Sequence, residues 1–165
     1  MELATEATPP PGRLLTKWDF RFLQLAQNIA VWSKDPSTQV GAVIVRPDRT
    51  IASLGFNGFA RGVDDSEERL AERNIKYLLT VHAEENAILS AHERLSGYWL
   101  YTSHHPCDRC ASRIVQAGIG RVVCMTTKDY LSRWEESVRN SRVILGEAGI
   151  PIDVVELVES QTEEA

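Results

Sequence analysis

Hydrophobic positions recur at four- and three-residue steps through Trp18, Phe22, Leu25, Ile29 and Trp32, a period that predicts an amphipathic helix. A hairpin follows, with one strand over Val40–Val45, a turn at Pro47-Asp48 and a second strand over Thr50–Phe56. Positions 57 to 80 break this regularity: they form a long, charge-mixed segment, read as loop with some helix. A segment of that length inside a compact domain is usually functional, so it is expected to cover a site or to meet another subunit. Regular patterning then resumes with a helix over Ala83–Leu95, a strand over Tyr98–Thr102 and a helix over Cys107–Ala117 ended by Gly118. A strand over Val122–Thr126, a mainly helical stretch over Leu131–Ala148 closed by Gly149, and a strand over Ile152–Val158 complete the chain. Strand–helix–strand order in the second half demands crossover connections, so those strands should run parallel while the first hairpin is antiparallel. The expected architecture is a three-layer α/β/α domain around a mixed five-stranded sheet. It occupies residues 14–160, between a Pro-rich flexible tail at 1–13, carrying Pro9-Pro10-Pro11, and a short flexible tail at 161–165.

Composition narrows the class of molecule. The 165 residues are 43% hydrophobic and 25% charged, which suits one soluble globular domain. No apolar run reaches the length of a membrane span, and the N-terminus lacks the basic and apolar regions of a signal peptide. A formal charge of −5 offers no basic footprint for a nucleic-acid backbone and turns the expectation toward a small-molecule substrate. Three cysteines, two of them in a metal motif, fit a reducing cytosol.

The chemistry is concentrated in two short motifs whose first ligands stand 25 positions apart: His82-Ala83-Glu84, and Pro106-Cys107-Asp108-Arg109-Cys110. Together they match the H-x-E…P-C-x-x-C signature of zinc-dependent nucleobase deaminases. One imidazole and two thiolates fill three corners of a zinc tetrahedron and leave the fourth open to water, as catalytic zinc sites require. Glu84, two positions past the histidine, can face the same cavity and move protons. Pro106 is expected at the first position of its helix, and the helix starts at both motifs favour thiolate over thiol. Taken singly each piece is weak: a lone histidine is usually core, and a lone C-x-x-C is as often a zinc knuckle or a redox pair. Their order and spacing together specify a hydrolytic site.

Four blocks extend the likeness. Ser33-Lys34-Asp35-Pro36-Ser37-Thr38-Gln39-Val40-Gly41-Ala42, Gly55-Phe56-Asn57-Gly58, His82-Ala83-Glu84-Glu85-Asn86-Ala87-Ile88 and the P-C-x-x-C helix resemble the deoxycytidylate (dCMP) deaminase family over roughly residues 17–158. The resemblance implies the cytidine-deaminase-like fold and conversion of dCMP to dUMP with release of ammonia. It implies that His82, Cys107 and Cys110 hold zinc, and that Glu84 carries protons from water to N3 and to the leaving amino group. It likewise implies that Asn57 binds the nucleotide sugar, that Tyr130 stands beside the nucleotide and that Ala83 is a substrate contact. Lys34 leads Arg61, Arg109 and Lys128 as the candidate for the phosphate.

Several departures from the family pattern carry consequences. Phe56 stands where tyrosine is usual, and Ala60 where proline is common. Positions 57–81 contain no cysteine or histidine, so one zinc ion per chain is expected rather than two. The same segment is similar to that of hexameric members regulated by dCTP and dTTP, which implies a homo-oligomer and nucleotide effectors. His104 and His105 are expected at the rim of the site, His92 on a helix surface, and Cys124 as a small buried strand residue. The competing functions are a deaminase of a modified dCMP, of a tRNA or of another polynucleotide base, or a zinc-stabilised binding protein without activity. Glu84 argues against the last, since a structural site has no use for that carboxylate.

Overall fold

The computed structural model describes residues 13–157, so the expected tails, Arg13 apart, lie outside the described residues. Helix α1 (Lys17–Ala30) leads into the hairpin β1 (Gly41–Val45) and β2 (Ile51–Phe56). The long segment folds as β3 (Gly58–Phe59), α2 (Glu67–Ala71), α3 (Arg73–Leu79) and β4 (Thr80–Val81), with β3 and β4 pairing as a small antiparallel sheet of their own. Then come α4 (Ala83–Leu89), β5 (Trp99–Thr102), α5 (Asp108–Gln116), β6 (Arg121–Thr126), α6 (Lys128–Arg133), α7 (Glu135–Glu147) and β7 (Ile152–Glu156). The main sheet has the order β2-β1-β5-β6-β7. Strand β1 runs antiparallel to β2 and to β5, whereas β5, β6 and β7 are parallel, the mixed five-stranded sheet that the patterning predicts.

Alternation along the central strands sorts the core into two layers. Ala42, Ile44, Leu100 and Val122 pack with Ala83 and Ala87 of α4, Ala111 and Ile114 of α5, and Leu145 of α7. Val43, Val45, Tyr101 and Val123 face the other way, onto Phe22, Leu23, Ala26 and Ile29 of α1. Small residues bring α4 close to the sheet. A Cβ on Gly55 would lie 2.4 Å from Ala83 O and from Ala87 N, so only glycine lets β2 approach the helix that opens with His82.

Four local expectations are corrected. The buried stripe of α1 is Asp19, Phe22, Leu23, Ala26, Ile29 and Ala30. Trp32 lies beyond the helix end and is 57% exposed, because Val31 already caps α1. Helix α4 stops at Leu89, six residues early, because the chain must turn through Ser96-Gly97 to start β5; Gly97 N–H donates to Gly118 O at 2.8 Å there. His92 therefore sits in the connection between α4 and β5 and not on a helix. The stretch after β6 is two helices that break at Trp134 (φ −119°, ψ 26°), and the first opens at Lys128, where Thr127 Oγ1 accepts from Tyr130 N. Pro106 precedes the N-cap of α5, which is Cys107 itself, so α5 begins two residues later than a proline at its first position requires.

Candidate functional site

The two motifs meet at the N-termini of α4 and α5. His82 is the N-cap of α4 and Cys107 the N-cap of α5, where its sulfur accepts from Cys110 N at 3.4 Å. His82 Nδ1 lies 3.5 Å from Cys107 Sγ and 3.5 Å from Cys110 Sγ. All three ligand atoms fall within 4.8 Å of one another. Tetrahedral zinc, with bonds of about 2.0–2.1 Å to nitrogen and about 2.3 Å to sulfur, sets nitrogen–sulfur edges of about 3.5 Å. The donor set fits one zinc ion, held by His82, Cys107 and Cys110.

Electrostatics at the cluster point the same way. A hydrogen bond with Cys110 holds the Cys107 thiol down to about 4, and the same contact pushes Cys110 up. Left to themselves, the two sulfurs share one negative charge; a divalent cation between them lets both be thiolates. Cys107 also raises the pKa of His82. Glu84, 4% exposed, sits behind the triad with Oε2 3.6 Å from Cys110 Sγ, and burial raises its pKa. A buried carboxylate so poorly supplied with donors is expensive to fold, which is characteristic of a group kept for chemistry.

The remaining residues named from the sequence fall into place unequally. Asn57 is buried, and all four of its polar atoms engage residues 33–40. Its N–H donates to Val40 O (3.2 Å), its carbonyl accepts from Ser33 Oγ (2.8 Å), Oδ1 accepts from Val40 N (2.8 Å) and Nδ2 donates to Thr38 O (2.9 Å). Ala83 opens α4. Tyr130 donates its hydroxyl to His105 O at 3.0 Å, and its ring lies 5.1 Å from that of His104. The Lys34 side chain is 68% exposed, and its ammonium pairs with Asp65 at 2.8 Å. His105 is corrected from rim to core, at 1% exposure; burial pushes it down to about 4, and its Nδ1 meets Pro106 O. Cys124 is buried in β6 as expected.

Contacts that sequence reading missed hold the two motif helices in place. Glu85 of α4 accepts from Arg113 Nε of α5 at 2.7 Å, and Asn86 Nδ2 donates to Phe56 O at 2.8 Å, tying α4 to the strand that ends beside Asn57. Ser103 Oγ accepts from Gly41 N and contacts His104 Nδ1. Glu85 and Asn86 both lie inside the third sequence block, whereas Ser103 lies outside all four.

Comparison with known proteins adds names to this geometry. Residues 16–126 match the model for the cytidine and deoxycytidylate deaminase zinc-binding region. The chain is 48% identical over 148 residues, 86% of its length and 99% of the relative's, to a protein of Aliivibrio fischeri termed an uncharacterized deaminase in the luxG 3′ region. It is 36% identical to deoxycytidylate deaminase of Mus musculus over 140 residues, 81% of this chain and 77% of that one. In fold it is similar to dCMP deaminase of the cyanophage S-TIM5, solved with dCMP and dUMP, at a TM-score of 0.68 and 21% identity over 87% of this chain and all of that one.

Proposed function

The chain belongs to the cytidine and deoxycytidylate deaminase family, and from that premise we propose that it hydrolyses dCMP to dUMP, water in and ammonia out. The observation that carries the reading is Glu84, a buried carboxylate set against a three-ligand zinc site whose fourth corner has no protein donor among the described residues. The named relatives support dCMP as the substrate.

Zinc held by His82, Cys107 and Cys110 supplies a nucleophilic water at neutral pH. Glu84 would accept one proton of the attacking water and pass it to N3, then accept the second from the new C4 hydroxyl and pass it to the amino group, so that the C4–N bond breaks and ammonia leaves. Ala83, first residue of α4, has an N–H with no acceptor inside the helix and can donate to the base. The side-chain amide of Asn57 keeps one N–H and one lone pair beyond its bonds to Thr38 O and Val40 N, enough to bridge to a sugar hydroxyl. Tyr130 offers its ring and not its hydroxyl, since the hydroxyl is spent on His105 O. Lys34, exposed and paired with Asp65, leads Arg61, Arg109 and Lys128 as the candidate for the phosphate, and Arg109 lies exposed between the two cysteine ligands on α5. The reading extends to a cytoplasmic homo-oligomer regulated by dCTP and dTTP, supported by the free thiols and by the folded 57–81 segment, where α3 leaves Leu78 82% exposed. Among the described residues no helix is long and apolar enough to cross a membrane.

Ammonia release from dCMP, deoxycytidine, CMP and dCTP, measured side by side, tests the assignment. Turnover of dCMP should exceed that of deoxycytidine by at least about tenfold, since a charge-assisted phosphate contact is worth about 1.5–3 kcal/mol. Equal rates for the two would overturn the monophosphate assignment.

A further inference from the structure

Lysine is among the residues least often buried, and a buried ammonium without partners is costly. Lys76 of α3 is nonetheless only 5% exposed. Its Nζ donates to Asp35 Oδ1 at 3.0 Å and to Ser37 Oγ at 3.0 Å, an ion pair whose side chains are 7% and 10% exposed. The carboxylate it meets is the organiser of the loop between α1 and β1: Asp35 Oδ1 also accepts from Ser37 N (2.8 Å) and Thr38 N (3.0 Å). Thr38 then accepts Asn57 Nδ2 through its carbonyl, Val40 donates to Asn57 Oδ1, and Ser33 Oγ, which accepts from Asp35 N at 3.2 Å, donates to Asn57 O. A continuous polar chain therefore runs from the 57–81 segment through Asp35 to the amide of Asn57. The other ion pair joining these two stretches, Lys34–Asp65, is exposed and contributes little orientation.

We propose that Lys76 is a positioning residue for the substrate: through Asp35 it fixes the 33–40 loop that sets the plane of the Asn57 amide, and so makes the 57–81 segment part of the nucleotide site. Lys76 touches neither the metal ligands nor the expected position of the base. Its loss should therefore weaken nucleotide binding and leave the chemical step nearly intact. The inference rests on the assignment of Asn57 to the nucleotide, and the test separates the two.

Steady-state kinetics with dCMP are measured for Lys76→Met, Asn57→Ala and the double variant, with zinc content and thermal midpoint for each. Methionine keeps the length of the stem, and replacing one partner of a buried pair by an apolar group is checked against Asp35→Asn, which keeps the acceptor and removes the charge. Lys76→Met should raise KM by about tenfold and change kcat by less than about threefold, with one zinc retained per chain. In the Asn57→Ala background the Lys76 substitution should add nothing further, because both act through the same amide. If Asn57→Ala raises KM and Lys76→Met does not, or if the two effects add, the positioning role is wrong and the site assignment stands. If Asn57→Ala leaves KM unchanged, the assignment of Asn57 falls and the inference with it. Should Lys76→Met fail to fold, Asp35→Asn carries the same comparison.

Discussion

Two buried carboxylates stand on opposite faces of the same sheet and have opposite fates. Asp19, on the α1 face, is fully buried, yet each of its oxygens is supplied: Oδ2 accepts from Thr16 N (2.7 Å) and Thr16 Oγ1 (2.8 Å), and Oδ1 accepts from Tyr101 Oη (2.7 Å) and Arg121 Nη1 (2.7 Å). Arg121 is held in turn by Asp153, with Nε 2.8 Å from Oδ2. Burial alone would raise the pKa of Asp19, but these hydrogen bonds outweigh it and hold the carboxyl far below the usual range. Glu84, on the α4–α5 face, is nearly as buried; burial outweighs a weak contact with the Cys110 sulfur and a hydrogen bond from its own backbone, and its pKa moves up. Burial by itself does not mark a catalytic group. A buried charge with a full set of partners is architecture, and one left short of partners beside a metal site is chemistry.

Substituting each carboxylate by its amide tests the contrast most directly. Glu84→Gln should lower dCMP turnover by about a thousandfold or more while zinc stays at one per chain and the thermal midpoint moves by only a few degrees. Turnover within tenfold of the parent would remove Glu84 from the mechanism. The metal ligands come next: Cys110→Ser should lose both zinc and stability, because the binding energy of the ion is partly folding energy, and full zinc content in that variant would contradict the ligand set.

Asp19→Asn should do the reverse of Glu84→Gln. It strands a buried Arg121 and should cost about 3 kcal/mol in urea unfolding, with kcat per folded molecule unchanged within about twofold. Its pH dependence has a definite sign. The native pKa of Asp19 lies below the unfolded value of about 3.9, so its contribution is complete above that pH and is lost as pH falls through the native value. The stability gap between parent and Asp19→Asn should accordingly hold steady from neutrality down to about pH 5 and close below about pH 4. A gap that opened on acidification would contradict the network. The smallest effect on stability is expected at Lys34: its pair with Asp65 is exposed, so Lys34→Ala should leave the urea midpoint nearly unchanged. As the candidate for the phosphate, the same substitution should lower turnover of dCMP by about tenfold and leave that of deoxycytidine nearly unchanged.

The site was more legible in the sequence than the framework around it. His82, Glu84, Cys107 and Cys110 could be read directly, because a helix start places residues two or three apart around one point wherever it occurs. Strand directions follow from alternation and crossover rules, and the sheet agrees; the order β2-β1-β5-β6-β7 is visible only in the fold. Four of the five stripe residues of α1, Trp18, Phe22, Leu25 and Ile29, do pack on the core, but the buried Asp19 among them reads as a surface residue because its partners Tyr101 and Arg121 are 82 and 102 positions away. The place of Lys34 in a family block is visible in the sequence, but the contact that Lys76 makes with the same block is not, because its partner Asp35 is 41 residues away.

Sequence alone is enough for the metal ligands, the candidate proton carrier and the direction of the strands. All of these depend on spacings of a few residues or on a period that local backbone geometry enforces. The tertiary structure alone decided which charges are satisfied and which are held ready: why Asp19 is silent, why Asn57 is fixed on four atoms, and why a lysine in the 57–81 segment is buried. Those outcomes depend on groups tens of residues apart meeting at about 3 Å, within hydrogen-bonding reach. A hydrophobic period says which face of an element is covered, but only the packed fold says what covers it.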